Sequence, residues 1–392
     1  MGPKRADSIP YRTTENQGGN LEEREAYVAF NLTDKIGSVK LAELVASFGS
    51  AAAAWEAYPQ KVARSGEEID WRREFALAKR YGVAIVTPVD PPYPPRLLEQ
   101  PSHPLALYVK GDVGVLSSPS VAIVGTRRAT AYGLDQAFRL SRDLAANKWT
   151  VVSGLALGID AEAHKGALEA GGKTVGVIGS GLDEFYPEEN RALAREIVAK
   201  GGAVASEFPF GRHPDAQTFP QRNHVVAALA RGVVAVEAPL KSGTLITTSL
   251  AADMGRVVMA VPGRVDSRSS AGCNALLRDG ARLVRSASDV EEELSDLVPS
   301  AARPASKAKR KSQPVAKAPE RQPTPDPASA PAYSVEEALI MKEVDADGVQ
   351  MDVLVRRTGL PAEKVNALCM SLRLKGRVRF FPGNRVALPR EA

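Results

Sequence analysis

The amino-acid sequence predicts an α/β fold class: a doubly wound parallel sheet, with a helical module before it and a winged-helix module after it. The first observation is a regular alternation of strand-like and helix-like segments beyond residue 120. Strand-like runs of apolar, β-branched residues begin near Val121, Thr150, Thr174, Ala203, Val233 and Val257. Helical patterns such as IDAEAHKGALEA and LITTSLAADMG separate these runs. The alternation is typical of βαβ units, whose strands are parallel.

The second observation is helical periodicity near the amino terminus, which predicts a helical module over residues 21–80. LTDKIGSVKLAELVASFGSAAAAWEA divides into short helices at its glycine turns. The turn at Ile36 and Gly37 is typical of helix-hairpin-helix or SAM-like modules, which often grip a DNA backbone. A plain αα-hairpin explains that turn equally well. Residues 1–20 are predicted to be disordered, and they lack the apolar region of a signal peptide.

The third observation is renewed periodicity over residues 333–392, which predicts three helices and a β-hairpin, the elements of a winged helix. Basic residues concentrate there, and the hairpin RVRFFPGNRVALPR places two arginines on one face of a strand. Secondary, sequence-independent contacts to duplex DNA are predicted for Arg373, Lys375, Arg377, Arg379 and Arg385. A solvated basic face on a protein-binding winged helix is an equally supported alternative.

Residues 297–332 are predicted to form a flexible basic linker. They include eight prolines and no aromatic residue, so they cannot bury enough apolar surface to order themselves. Seven Lys/Arg and two Asp/Glu between residues 303 and 331 account for the whole net charge of +5. The rest of the chain is neutral, so only local patches can indicate a nucleic-acid surface.

Composition and motifs argue against a membrane protein and against an enzyme. No apolar run reaches 18 residues, and two distant cysteines favour a reducing cytoplasm without disulfides. Ser153 lacks the nucleophile elbow that would make a triad with Asp160 and His164 credible. No H-E-x-x-H, cysteine cluster or Walker sequence is present, so no metal and no cofactor are predicted. Asp160 is expected to cap the helix near Ile159, and His164 to bond a nearby carbonyl or loop.

The sheet domain, predicted over residues 81–296, carries glycine-rich loops where its strands end. They are GTRR (125–128), SGLALG (153–158), GSG (179–181), SEFPFG (206–211) and KSGT (241–244). Ligands of open parallel sheets bind at this edge, where helix N-termini offer N–H groups to anions. One such loop is commonly only a tight turn, but five on one edge predict an anion-binding rim. Arg127, Arg128 and Lys241 add positive charge to it.

Aromatic and basic side chains alternate before the helix that follows SEFPFG. Phe208, Phe210 and Phe219 are interleaved with Arg222 and Asn223. Aromatic faces beside guanidinium and amide groups suit unstacked bases, each worth about 1–3 kcal/mol. The alternative is that these phenylalanines belong to the core, which is the usual place for phenylalanine.

In this order, VAIVGTRRATAYG, VVSGLALGIDAEAHKGAL, TVGVIGSGLDEFYPEEN, FPQRN and VVAVEAPLKSGTLITTSLAADMGRVVMAVPG resemble successive motifs of the bacterial DNA-processing protein A (DprA/Smf) family. The resemblance implies an extended Rossmann-like domain, with a SAM-like module before it and a winged helix after it. The DNA-binding residues that the resemblance implies are Gly125, Thr126, Arg127, Ser153, Gly154, Phe219, Arg222, Asn223, Ser242, Gly243 and Thr244. The charge of the rim adds Arg128 and Lys241 to this predicted set. Most members have FPRRNR, whereas this chain has Gln221 and His224, which should weaken affinity or make it pH-sensitive.

The resemblance also implies what the protein does. It implies single-stranded DNA binding, protection of incoming DNA and loading of the RecA recombinase in natural transformation, without catalysis. It implies a homodimer, for which the apolar stretch around Leu276, Leu277 and Leu283 is the expected interface. The alternatives are a Rossmann-like nucleotide phosphoribohydrolase and a winged-helix transcription regulator. The hydrolases carry PGGxGTxxE, whereas KSGTLITTSLA has no acidic residue after its Gly-Thr.

Overall fold

The computed structural model of the protein describes residues 21–33, 36–58, 68–295, 334–345, 349–375, 377–381 and 385–388. The chain divides into two compact units, Met1–Ala305 and Ser306–Ala392. The predicted disordered segment 1–20 and the predicted linker 297–332 lie outside the described residues. No helix of the described part is long and apolar enough to cross a membrane.

The first unit begins with helices in the region where helical periodicity predicts them. They are α1 (Glu23–Leu32), α2 (Ser38–Phe48), α3 (Ala51–Ala57) and α4 (Trp71–Tyr81). Turn residues delimit them: α2 ends at Gly49, whose φ of 88° is left-handed, and the Ser50 side chain caps α3 by accepting from Ala53 N at 3.0 Å. The predicted module boundary between residues 80 and 81 falls in the last turn of α4 and stays a prediction.

Within residues 68–295 a nine-stranded sheet confirms the predicted α/β class. Its strands are β1 (Ala84–Val86), β2 (Leu107–Gly111), β3 (Ser120–Val124), β4 (Thr150–Ser153), β5 (Thr174–Val177), β6 (Ala203–Ser206), β7 (Gly232–Ala235), β8 (Val257–Ala260) and β9 (Arg282–Leu283). The strand order is β1-β2-β6-β5-β4-β3-β7-β8-β9. All pairs from β6 to β9 are parallel, whereas β1 and β2 are antiparallel additions at one edge.

Helices cover both faces of this sheet, as a doubly wound fold requires. They are α5 (Pro95–Leu98), α6 (Ala131–Ala146), α7 (Ile159–Glu169), α8 (Arg191–Ala199), α9 (Thr218–Leu229), α10 (Gly243–Asp253), α11 (Ala271–Arg278) and α12 (Ala287–Leu294), with 3-10 turns at Val113–Ser117 and Glu188–Asn190. One apolar core lies under α6, α7 and α12, and a second lies under α5, α9 and α10. Every residue of β3 is buried, which explains its continuous apolar run.

The proline-rich segment between α4 and β3 differs from its prediction. Its proline density predicts no helix, yet α5 forms one short turn of helix, with Pro95 at its first position. A proline there loses no intrahelical hydrogen bond, so the turn is tolerated. β1 and β2 flank this segment, and Ile85 and Tyr108 from them share a core with the amino-terminal helices. The helical module therefore packs on the antiparallel edge of the sheet.

The second unit has the predicted winged-helix elements. They are α13 (Val335–Glu343), β10 (Val349–Gln350), α14 (Met351–Thr358), α15 (Ala362–Leu374), β11 (Arg379–Phe381) and β12 (Arg385–Ala387). The strands form an antiparallel sheet in the order β10-β12-β11. Leu354, Val365, Cys369 and Leu372 are buried together and give this unit its own core.

Candidate nucleic-acid interface

The strand order creates a crevice at the carboxyl ends of β3 and β7. From β3 the chain steps through β4, β5 and β6 in one direction, whereas β7, β8 and β9 continue in the other. Loops at such a reversal diverge and leave a space that ligands of open α/β sheets occupy. Here the space is a cleft of ≈ 360 Å³, which we call the carboxyl-edge cleft. Four cationic side chains and one carboxylate line it.

Twelve of the thirteen residues predicted to bind DNA line the carboxyl-edge cleft. They are Gly125, Thr126, Arg127, Arg128, Gly154, Phe219, Arg222, Asn223, Lys241, Ser242, Gly243 and Thr244. Ser153 is the exception: it is fully buried, and its hydroxyl donates to Ile123 O at 2.6 Å. Its hydroxyl therefore fastens β4 to β3 and cannot reach a ligand.

The loop after β3 exposes two arginines, and hydrogen bonds to Glu237 hold its backbone in place. Thr126 N donates to Glu237 O at 2.7 Å, and the Glu237 carboxylate accepts from Thr130 N and Thr130 Oγ1, both at 2.8 Å. Glu237 is buried, so these bonds are shielded from water. Arg127 and Arg128 lie between the anchored residues and are exposed. Their guanidinium groups can meet a ligand without refolding the loop.

Arg222 is a buried structural residue as well as a lining residue. It is 6 % exposed, and its Nη1 donates to Gly154 O and to Val177 O, the latter at 2.8 Å. Its Nε donates to Asn223 Oδ1 at 3.0 Å. Burial lowers the pKa of Arg222, and the neighbouring Asp160 carboxylate opposes that shift. The guanidinium thus ties α9 to the ends of β4 and β5.

Asp160 does not cap its own helix, contrary to the expectation from sequence. Gly158 is the residue before α7, and Asp160 Oδ2 accepts from Gly154 N at 3.2 Å and from Ala156 N at 3.4 Å. Burial raises the pKa of Asp160, while Arg222 and these N–H groups act against the shift. A larger residue at Gly154 would displace this pair, because a Cβ there would lie 2.7 Å from Asp160 Oδ2 and closer still to Arg222.

Of the three phenylalanines considered as base-stacking residues, one reaches the cleft. Phe208 is buried, and Phe210 packs against Tyr81 and Tyr108. Phe219 lines the cleft, with the Arg127 guanidinium 4.9 Å from the centre of its ring. The core alternative therefore holds for Phe208 and Phe210, because the loop after β6 turns back onto the helical module.

The opposite wall of the cleft is the start of α10. Lys241 is exposed, and Ser242, Gly243 and Thr244 bring the first N–H groups of α10 to the cleft. The amino-terminal end of a helix carries partial positive charge and binds anions. Within the described residues, no group of His, Cys, Asp or Glu side chains could hold a metal ion.

Gln221 and His224, which replace basic residues of the family motif, lie away from the cleft. Gln221 lines a separate pocket beside the amino-terminal helices. His224 Nε2 is 2.8 Å from Ser102 Oγ. Burial and the neighbouring His103 lower the pKa of His224, so it is neutral near pH 7. A pH response of the cleft through His224 is therefore not supported by this geometry.

His164 is a buried structural histidine whose titration should make the stability of the protein depend on pH. Its Nδ1 is 2.7 Å from Thr174 Oγ1, and that hydroxyl donates to Val151 O, so Nδ1 carries the hydrogen and donates. Burial, aided by the Arg222 charge, lowers the pKa of His164 to about 3. The folded protein therefore holds it neutral where the unfolded chain, with a pKa near 6.5, takes up a proton.

We expect this histidine to make stability fall with acidity. Its contribution is complete above pH 6.5 and is lost as pH falls from there toward 3, at about 1.4 kcal/mol per pH unit. The measurement is the free energy of unfolding by urea at several pH values, compared with His164→Asn, which keeps a donor but does not titrate. The wild type should lose more stability than the variant between pH 6 and 4; parallel curves would contradict the assignment.

One of the five basic residues predicted to contact duplex DNA from the winged helix is held by a carboxylate. Lys375 Nζ donates to both carboxylate oxygens of Glu337, at 2.7 and 2.8 Å, and Lys364 pairs with Glu336. The Lys375 hydrogen bonds, joined by Ser371, lower the pKa of Glu337 to about 2. Arg377 is half-buried. The side chains of Arg373, Arg379 and Arg385 lie outside the described part of the chain.

Sequence reasoning missed the residues that support the cleft. Tyr186 stands beside Phe219, Asn190 holds the loop after β4, and Glu237 anchors the loop after β3. Tyr186 and Asn190 belong to the motif FYPEEN, whose two glutamates and lack of glycine do not suggest a phosphate site. The available signal was its position in the segment that follows β5, at the edge where the other motifs lie.

Comparisons with known proteins agree on one family. Residues 84–295 match the model described as DNA recombination-mediator protein A, and residues 322–384 match the DprA winged helix domain. Protein Smf of Escherichia coli is 33% identical over 305 residues, 76% of this chain and 75% of that protein. DNA processing protein DprA of Streptococcus pneumoniae is 42% identical over 205 residues, 52% of this chain and 72% of that protein.

Solved structures give the same result. The X-ray structure of DprA from Streptococcus pneumoniae has a TM-score of 0.55 at 35% identity, covering 70% of this chain and 93% of that one. A structure of DNA processing protein A from Helicobacter pylori has a TM-score of 0.50 at 31% identity, covering 55% of this chain and 97% of that one. The latter work concerns the single-stranded DNA binding mode of the Helicobacter protein.

Proposed function

Because the chain belongs to the DNA recombination-mediator protein A family, we propose that it binds single-stranded DNA at the carboxyl-edge cleft. The observation that carries this proposal is convergence: twelve motif residues from separate loops meet around one crevice at the strand reversal. Four cations and only one carboxylate line it, which suits a polyanion. The Helicobacter relative, whose structure concerns single-stranded DNA binding, supports the same ligand.

The arginines favour a strand that passes over the cleft. Dinucleotide sites place glycines where this loop has Arg127 and Arg128, so that a pyrophosphate can lie against bare backbone. Here the exposed guanidinium groups stand above the loop and can clamp successive phosphates bidentately. Phe219 offers an aromatic face next to them. Phosphate clamps beside a stacking face are the usual parts of a single-strand groove.

The role proposed for the cleft is binding without catalysis. Asp160, the carboxylate among the lining residues, accepts from two backbone N–H groups and neighbours the Arg222 charge. Those bonds hold it as a structural acceptor and leave it poorly placed to abstract a proton from a ligand. No cofactor is part of the proposal, and the acidic residue that lines the cleft, Asp160, is engaged in these structural bonds, which does not favour the nucleotide phosphoribohydrolase alternative.

The cellular role that we propose follows the family: protection of incoming DNA and loading of RecA during natural transformation, in the cytoplasm. A homodimer through the end of the sheet domain belongs to the same proposal. Leu276 and Leu277 are partly buried against Cys273, whereas Leu283 is 50% exposed on the edge strand β9. Leu283 is thus the side chain of the three with most apolar surface left for a partner.

Removing residues 300–392 is expected to leave most single-strand affinity intact. The cleft lies entirely in the first unit, which has its own cores, and the winged helix has its own core as well. Two of its lysines are held by carboxylates, so its contribution to a single strand should be small. The measurement is fluorescence anisotropy of a labelled oligothymidylate with full-length and shortened protein.

The same titration with a duplex of equal length distinguishes the contributions of the two units to DNA binding. We expect the shortened protein to lose duplex affinity in greater proportion than single-strand affinity. If it loses single-strand binding altogether while remaining folded by circular dichroism, the winged helix is the primary site and the cleft is not.

A further inference from the structure

We propose that Tyr186 is a base-stacking subsite: it receives one unpaired base of the strand whose phosphates occupy the carboxyl-edge cleft. The inference rests on the proposed function and deepens it, because it assigns the source of the preference for single strands. Tyr186 does not line the cleft, and it belongs to the motif FYPEEN, to which the cleft gives no role. Three features of its surroundings support the assignment.

The first feature is a row of side chains leading out of the cleft. The Arg127 guanidinium lies over the Phe219 ring, 4.9 Å from its centre, and the centre of the Tyr186 ring is 6.1 Å from that of Phe219. Tyr186 is 46% exposed, unlike most large aromatic residues of the described chain. A nucleotide whose phosphate meets Arg127 would therefore have aromatic rings within reach of its base.

The second feature is the space available. A hollow of ≈ 30 Å³ lies between Tyr186 and Phe219, with Leu157 and Gly179 in its walls. It has room for about two water molecules, so a base cannot enter it. The exposed side of the Tyr186 ring lies outside this hollow, so its small volume does not restrict a base there. The base must lie flat against the exposed ring, which is stacking and involves no reading of base identity.

The third feature is the rigidity of the platform. Asn190 Nδ2 donates to Leu155 O at 2.8 Å and to Ala156 O at 3.0 Å, joining the Tyr186 loop to the loop after β4. Leu155 has a φ of 52°, a left-handed conformation that a leucine keeps only when its surroundings hold it. A loop held in place before binding loses little conformational freedom when a base stacks on a ring that it carries.

Charge gives the strand an orientation. Arg127 and Arg128 lie on the cleft side, whereas Glu188 and Glu189 follow Tyr186 and Pro187 in the chain and are exposed. Phosphates are drawn to the arginines and repelled by Glu189, whereas the Glu188 carboxylate is paired with Arg191, 2.7 Å from its Nη2. The strand therefore directs its bases, not its backbone, toward Tyr186. In a duplex the faces of the bases are already stacked on one another. The Tyr186 subsite thus favours single strands, while the arginines attract both.

The test compares the wild type, Tyr186→Ala, Tyr186→Phe and Tyr81→Ala. Tyr81 is a matched control because it is 42% exposed and lines a different groove. The probes are labelled oligothymidylates of about twelve nucleotides and oligonucleotides of the same length without bases. We expect Tyr186→Ala to bind oligothymidylate about fivefold more weakly or worse, and its binding of the baseless strand to be unchanged. Tyr186→Phe and Tyr81→Ala should match the wild type.

Two results would overturn the assignment of Tyr186. If Tyr186→Ala binds oligothymidylate as tightly as the wild type, or weakens both probes equally, Tyr186 is not a stacking subsite and the inference is wrong, although the cleft still binds DNA. If the wild type binds neither probe, the proposed function fails and the subsite fails with it.

Discussion

Replacing Arg222 by alanine is expected to lower the free energy of unfolding by about 3–5 kcal/mol. The change leaves the buried Asp160 carboxylate without its neighbouring cation. It also removes the donor from Gly154 O and Val177 O at the ends of two central strands. A buried acceptor that loses its donor keeps the cost of its desolvation.

Urea unfolding followed by circular dichroism measures this effect, and Arg222→Lys is the matched control. A lysine keeps the charge but cannot bond both carbonyls and Asn223 with one planar group, so an intermediate loss is expected. A loss below about 1 kcal/mol for Arg222→Ala would mean that Arg222 serves the ligand and not the fold.

Replacing Arg127 by alanine is expected to weaken single-strand binding at moderate salt by at least tenfold, about 1.4 kcal/mol. Arg127 is exposed at the mouth of the cleft and rests on Phe219, so the change removes a phosphate contact and part of a stacking surface. The slope of log affinity against log salt should decrease by about 0.7, the value for one lost phosphate contact on a single strand. Stability should not change, because the side chain is exposed.

Arg139→Ala is the control for general charge effects. Arg139 lies on α6, is exposed and pairs with Asp135. Its replacement therefore removes one positive charge at a place away from the cleft. If Arg127→Ala and Arg139→Ala weaken binding equally, the affinity comes from overall charge and the cleft has no special role. The two substitutions should differ in their effects. Arg127→Ala should weaken DNA binding without lowering stability, whereas Arg222→Ala should lower stability.

The parallel part of the fold could be predicted because its sequence signal is local. Strand starts predicted near Val121, Thr150 and Thr174 agree with the structure to within one residue, since buried parallel strands are continuous apolar runs between glycine turns. β1 and β2 were not predicted. They flank a proline-rich segment and pair antiparallel at the sheet edge, with register set by contacts such as Tyr108 with Ser206, far apart in sequence.

The residues that form the site could be predicted from the sequence, but the role of each side chain could not. Loops at the carboxyl ends of parallel strands must share one edge, so Arg127, Arg222 and Lys241 were expected together. Their burial depends on partners elsewhere in the chain: Arg222 is enclosed by Gly154 and Val177, whereas Arg127 rests on Phe219 and stays exposed. Tyr186 was missed because an exposed aromatic residue has no sequence signature until its neighbours are known.

A titration of the full-length protein with labelled single-stranded and duplex oligonucleotides of equal length, over a range of salt concentrations, tests directly whether the protein is a single-strand binder. We expect tighter binding of the single strand at every salt concentration, with little dependence on base sequence and a linear loss of log affinity with log salt. Equal or tighter binding of the duplex, or binding restricted to one duplex sequence, would contradict it and would favour the winged-helix regulator.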